Sequence, residues 1–161
     1  MAAKTGSKIK LLIDLTEAAF DKKSWHGTNL TGSLRGLNIS TLTTIPDPKR
    51  PSIWQIAIHC AYWKYVIYRK LAGAEKGGFP RKPSNWPVIP EKTDKKLWRE
   101  DYGLLKEYHK KLISAIEAFP EKRLGRKAPD SKYTAEQLIY GVAAHDLYHA
   151  GQIQLVKKLV K

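Results

Sequence analysis

Cysteine is almost missing from this chain. A single one, Cys60, stands among 161 residues, which excludes an intrachain disulfide framework and fits a reducing compartment. Acidic side chains are scarce as well, 15 against 29 lysines and arginines, for a formal charge of +14. No uninterrupted apolar run approaches the length needed to cross a bilayer. The stretch Met1 to Lys8 lacks the long apolar core of a signal peptide. These features predict a cytoplasmic protein with no membrane partner. What is present is ordinary for a globular domain: 42% hydrophobic and 10% aromatic residues, too apolar a mixture for a disordered chain. The length suits one domain over residues 1–161, enough to bury a core.

The positive charge raises nucleic acid or an anionic surface as a partner. The bases, however, are spread along the whole chain, and the densest group (Lys122, Arg123, Arg126, Lys127, Lys132) falls in a predicted loop. There is no recognition-helix pattern, zinc-finger spacing or aromatic RNA-binding motif. A solvated basic surface is the simpler reading, with a basic nucleic-acid-binding module as the alternative.

Four segments carry helical periodicity. The first runs from about Ser7 to Lys22, with Ile9, Leu12, Ile13, Ala19 and Phe20 inward. The second begins at a capping box, Ser52-Ile53-Trp54-Gln55, and ends near Gly73 or Gly77-Gly78. The third spans roughly Asp94 to Phe119, where Pro120 stops it, with Tyr108 and Leu112 in its inward line. The fourth opens on a second capping box, Thr134-Ala135-Glu136-Gln137, and runs almost to Lys161. Between the second and third, Gly77 to Lys92 holds four prolines and Trp86 and is expected to fold over an end of the bundle. Leu30, Leu34 and Leu37 predict a short extra helix from about Asn29 to Leu37. Ile39 to Ile45, rich in Thr and Ile, suits extended chain, although nothing pairs with it. No βαβ alternation is present, so four packed helices is the economical all-α architecture.

The last helix carries the chemistry. Its apolar stripe reads Leu138, Val142, His145, His149, Ile153, Val156, Leu159, so two imidazoles one turn apart point into the core. Burying both costs stability unless each finds a partner, and a divalent metal would satisfy both. A lone pair at this spacing more often marks hydrogen-bonded core. His59 tips the balance: it falls on the edge of the second helix's inward face, between Ile56 and Trp63. Three nitrogen ligands from two helices leave a coordination position for water or substrate, as catalytic metal sites do.

Other residues carry weaker signals. His26, beside Trp25 and Gly27 where the first helix breaks, is a candidate general base lining the metal pocket; the alternative is a loop histidine packed on Trp25. His109, next to Lys110 and Lys111, reads as a surface residue. Asp146 points about 100° from His145 and reads as a solvated carboxylate, with orientation of a ligand as the alternative. Gln152, on the face of His149, is evenly balanced between bonding a ligand ring and acting as a polar spacer. Tyr62 and Tyr148 flank the ligand positions, with core packing as their default. Cys60 lies on the apolar stripe and reads as a small core residue, not as a catalytic thiol.

The run Gly141-Val142-Ala143-Ala144-His145-Asp146-Leu147-Tyr148-His149-Ala150-Gly151-Gln152-Ile153, with His59 and Trp63 after Ser52-Ile53-Trp54, resembles the DinB-like (YfiT-like) superfamily of metal-dependent enzymes. Trp25-His26-Gly27 followed by Leu30 and Leu34 is similar to one subgroup of it, marked by that Trp-His-Gly element. The resemblance implies a four-helix bundle in up-down-down-up order, with a long crossover between the first and second or the second and third helices. It implies a nickel- or zinc-type ion on His59, His145 and His149, and a homodimer. It also implies thiol-dependent transfer using bacillithiol, mycothiol or glutathione. The strong positive charge departs from the family pattern.

A histidine-only site keeps a divalent ion doubly positive, able to lower the pKa of a water or a thiol. Water activation gives a hydrolase and thiol activation an S-transferase; the residues themselves leave both open. No Glu lies between His145 and His149, so the zincin protease pattern is absent. The alternatives are a non-catalytic metal-binding protein and the basic binding module. Nitrogen ligands favour nickel, copper or zinc over manganese, and a small-molecule substrate is the expected partner.

Overall fold

The computed structural model describes residues 7–74 and 77–160. The stretch Met1–Gly6, read above for a signal peptide, lies outside them, as does Lys161. The elements are α1 (Ser7–Phe20), α2 (Leu30–Leu34), α3 (Ile39–Thr43), α4 (Ile53–Ala72), α5 (Lys95–Glu117), a 3-10 turn at Glu121–Arg123 and α6 (Ala135–Leu159). Among the described residues there is no strand, only an isolated antiparallel bridge between Lys127 and Thr134. None of the described helices is long and apolar enough to cross a membrane.

Local chemistry sets these boundaries. Both capping boxes form: Ser52 Oγ accepts from Gln55 N–H while Gln55 accepts from Ser52 N–H, and Thr134 and Gln137 do the same. Asp94 caps α5, taking the Leu97 N–H at 2.8 Å. Gly73, at φ 64, turns the chain out of α4 in the left-handed conformation that a side chain resists. Two short helices form where one was expected. The segment read as extended winds into α3 because Asn38 accepts from Thr41 N–H, while Thr43 and Thr44 hydroxyls return to carbonyls one turn back. Side-chain capping plus burial of Leu42 outweighs the β-branched composition.

Four long helices form a ring in which α4 packs on α5 and α6, and α1 packs on the same two. Their order is up-down-down-up. Trp54 reaches Asp101 and Tyr65 meets Tyr108, so α4 and α5 run parallel. Lys8 pairs with Glu136 near the start of α6, while Phe20 shares a cluster with Ile153, so α1 and α6 are parallel too. Lys64 of α4 pairs with Asp146 of α6, whereas Ile67 clusters with Ile139 and Val142, so those two helices are antiparallel. A parallel α4–α5 pair needs a long return, which is the proline-rich crossover ahead of α5. Arg81 in it binds Asp101 at 2.6–2.7 Å, and Pro87 O accepts from Gln55 Nε2 at 3.3 Å. These contacts lay the crossover over the N-terminal part of α4.

Two inward positions differ from the sequence reading. The buried stripe of α5 is Asp101, Leu105, Tyr108, His109, Leu112 and Ile116, so His109 is core, stacked on Phe20 at 3.7 Å. Leu159, read as inward, is exposed.

Candidate metal centre

Helix geometry delivers the three histidines to one point. His145 and His149 project from the same face of α6, and the antiparallel α4 brings His59 opposite them. His145 Nε2 lies 3.1 Å from His59 Nε2 and 3.1 Å from His149 Nε2. Ring nitrogens of all three lie within 4.8 Å of one another. His59 and His149 are buried and His145 is half-buried.

The outer nitrogens show what the inner ones can do. His59 Nδ1 faces the carbonyl oxygen of Asn85 at 2.7 Å, and a carbonyl only accepts, so Nδ1 carries the proton. His149 Nδ1 faces Gln152 Oε1 at 2.8 Å in the same sense. Each neutral ring then presents a bare Nε2 lone pair to the common point. Burial depresses all three rings: His59 to about 4, with the Asn85 carbonyl opposing, His145 to about 3, with both other imidazoles adding, and His149 below its usual value. At neutral pH His59 and His149 therefore turn bare Nε2 lone pairs toward His145 Nε2, which lies 3.1 Å from each, and a cation at that point would engage all three rings. Nitrogens bound to one tetrahedral ion at about 2.1 Å stand about 3.4 Å apart, close to the spacing seen. The donor set fits a divalent metal.

Aromatic walls flank the group. Trp86 from the crossover stacks on His59, centroids 3.8 Å apart and planes 8° apart, and meets His149 edge-on. Trp63 stands edge-on to His59 and His145 from the other direction.

Behind His145 lies a buried ionic assembly. Lys64 and Asp146, both fully buried, form an ion pair between α4 and α6. Asp146 was expected in solvent; instead it faces α4, and burial raises its carboxyl to about 6 against the pull of Lys64. Lys64 Nζ also stands 4.8 Å from the centroid of the Phe20 ring. Cys60 is adjacent, its Sγ within 4.8 Å of a His145 nitrogen and an Asp146 oxygen. Burial, with Asp146 adding, pushes that thiol well above its ordinary value, so Cys60 stays protonated core.

Other residues fall elsewhere. His26 is exposed on the loop after α1, its Nδ1 3.5 Å from Ser24 Oγ, and is not among the residues around the three-histidine group; Trp25 beside it is fully exposed. Tyr148 is exposed and Tyr62 half-buried. Sequence reasoning missed Asn85, Trp86 as a histidine partner, and Lys64. Only Lys64 left a local trace, a lysine on the inward line between Cys60 and Ile67.

A four-helix bundle with three inward imidazoles on two antiparallel helices defines the class: a helical protein with a candidate divalent-metal centre. A family model described as the DinB superfamily matches residues 13–153, and the chain belongs to that superfamily. No curated protein and no solved structure gives a match.

Proposed function

We propose that this protein is a divalent-metal-dependent enzyme whose His59, His145 and His149 hold one nickel or zinc ion and activate a thiol or a water. The products would be those of a thiol-dependent S-transferase or of a hydrolase acting on a small molecule. The observation that carries this reading is the convergence of three Nε2 atoms while two outer Nδ1 atoms are engaged by acceptors. Superfamily membership supports it. An ion held by three neutral imidazoles supplies a positive centre that lowers the pKa of a water or thiol. The chain's own residues do the rest. Asn85 and Gln152 fix ring orientation, the flanking tryptophans restrict water, and the Lys64–Asp146 pair holds α4 and α6 in register. A low-molecular-weight thiol is the proposed co-substrate, since the only cysteine is buried and protonated.

Elemental analysis after purification without added metal tests the proposal. About one equivalent of nickel or zinc per chain is expected, and a chain that takes up none on titration overturns it.

A homodimer is part of the same proposal. Ala144, Tyr148, Gly151, Leu155 and Leu159 are exposed at helical spacing along α6, with Leu11 and Leu15 exposed on the neighbouring α1. An apolar stripe of this kind marks an interaction face. Light scattering checks it: a mass of twice 18.3 kDa is expected, and Leu155→Glu should halve it.

A further inference from the structure

A cleft of about 730 Å³ opens between α4 and α6 with His145 in its wall. That volume is typical of a site for a small organic molecule. The walls are chiefly carbon: Tyr62, Trp63 and Val66 from α4 face Tyr140 and Val142 from α6, and Tyr133 comes from the preceding loop. Four aromatic rings around one space favour a flat, unsaturated guest.

The two ends of the cleft differ. Trp63 and His145 mark one end. Lys70 lies seven residues further along α4, about 10 Å away at 1.5 Å per residue, and marks the other with Lys132 and Asp130. Two cations against one carboxylate leave that end positive. Lys70 Nζ donates to the carbonyls of Pro129 and Asp130 at 2.6 and 3.1 Å, and Lys132 Nζ stands 5.2 Å from the Tyr133 ring centroid. Neither lysine belongs to an ion pair among the described residues. Their charge is available to a guest.

We propose that this cleft binds the substrate of the metal centre, and that the substrate is a small molecule with an aromatic body and one carboxylate or sulfonate. The anion sits at the Lys70–Lys132 end, which places the opposite end of the molecule against His145. The assignment of a substrate rests on the metal-centre proposal above; binding in the cleft does not.

Gly141 provides a clean test. It lies in the cleft wall within α6, and a Cβ added there meets no atom within 4 Å, so a larger side chain starts from open space at that wall. The full chain is first loaded with cobalt(II), whose d–d absorption reports the ligand set. Failure to load sinks the metal proposal before any organic probe is added. Biphenyl-4-carboxylate is then titrated by calorimetry and by cobalt absorption. One-to-one binding with a shifted d–d band is expected. Gly141→Trp should weaken binding by at least about tenfold while keeping the cobalt spectrum of the unliganded protein. Lys132→Met and Lys70→Met should each weaken the carboxylate about fivefold and leave the neutral biphenyl-4-carboxamide unaffected, the loss expected for one exposed charge contact. Because Lys70 also holds the 129–130 loop, Lys132→Met is the decisive one of the pair. Binding indifferent to Gly141→Trp, or equal for acid and amide, overturns the proposal. Binding that leaves the cobalt spectrum unmoved separates the cleft from the metal and overturns the substrate assignment. A Gly141→Trp protein that only changes from dimer to monomer, with no probe bound by the wild type, shows the cleft covered by a second copy and overturns it too.

Discussion

Two regions of the bundle bury histidine, each with one ring whose buried Nδ1 has no partner (His109 in one, His145 in the other), and they differ in what else the rings meet. In the α1–α5 seam, His109 stacks on Phe20, its Nδ1 is buried without a partner, and burial drives its pKa to about 2. In the α4–α6 seam, three histidines share one point, and two of them are oriented from behind by a carbonyl and an amide oxygen. Burial alone makes a neutral ring. Convergence with outward support makes a ligand set. The regions meet at Lys64, which lies over Phe20 on one side and pairs with Asp146, the neighbour of His145, on the other.

Breaking that junction should have the largest effect. Lys64→Met leaves Asp146 buried and unpaired, and should cost about 3–5 kcal/mol of stability. Urea unfolding measures it, and the double variant Lys64→Met/Asp146→Leu should recover most of the loss, because two apolar groups need no partner. Next comes the direct contrast. His145→Ala should lower cobalt affinity by at least about a hundredfold with the helix signal retained, whereas His109→Phe should leave metal uptake unchanged. Equal losses would erase the distinction between the seams.

Acid sharpens the comparison at a smaller scale. His109 has a folded pKa of about 2 against an ordinary 6.5, so between those values the unfolded chain binds more protons. Its neutral form contributes fully above pH 6.5, and stability falls as pH drops below that value, by up to about 1.4 kcal/mol per pH unit. From pH 7 to pH 5 the cost reaches about 2 kcal/mol for this one residue. Urea midpoints at the two pH values should show His109→Phe losing less than the wild type. The three clustered rings act in the same direction in metal-free protein, so some acid sensitivity should persist in the variant. The smallest effect belongs to orientation from behind. Gln152→Leu should weaken metal binding by about tenfold and leave stability nearly unchanged.

The four long helices were legible because their signals are local. Two capping boxes, a C-terminal glycine and one continuous stripe place α4 and α6 to within a residue or two. His59, His145 and His149 were legible for the same reason, since helical phase alone sends them inward. His109 and Asp146 were misread because sequence neighbours stand for solvent only on a helix with one buried face. Lys110 and Lys111 made His109 look wet, yet α5 buries the line Leu105, His109, Leu112. Asp146 looked exposed because it is turned away from His145, but α6 is packed against α1, α2 and α4, and its exposed stripe runs through Ala144, Tyr148 and Gly151, not through Asp146. The outward partners had no local signal. Asn85 contributes a backbone carbonyl, which carries no residue type to notice, and its position depends on where Arg81 and Pro87 anchor the crossover.

His59 and His145 lie 86 residues apart in the chain and 3.1 Å apart in space. An ion shared by them would therefore act as a staple across most of the fold, in a molecule with no disulfide to do so. Its free energy of binding would add directly to resistance against unfolding, so thermal melting should track metal content even in a variant that has lost all turnover.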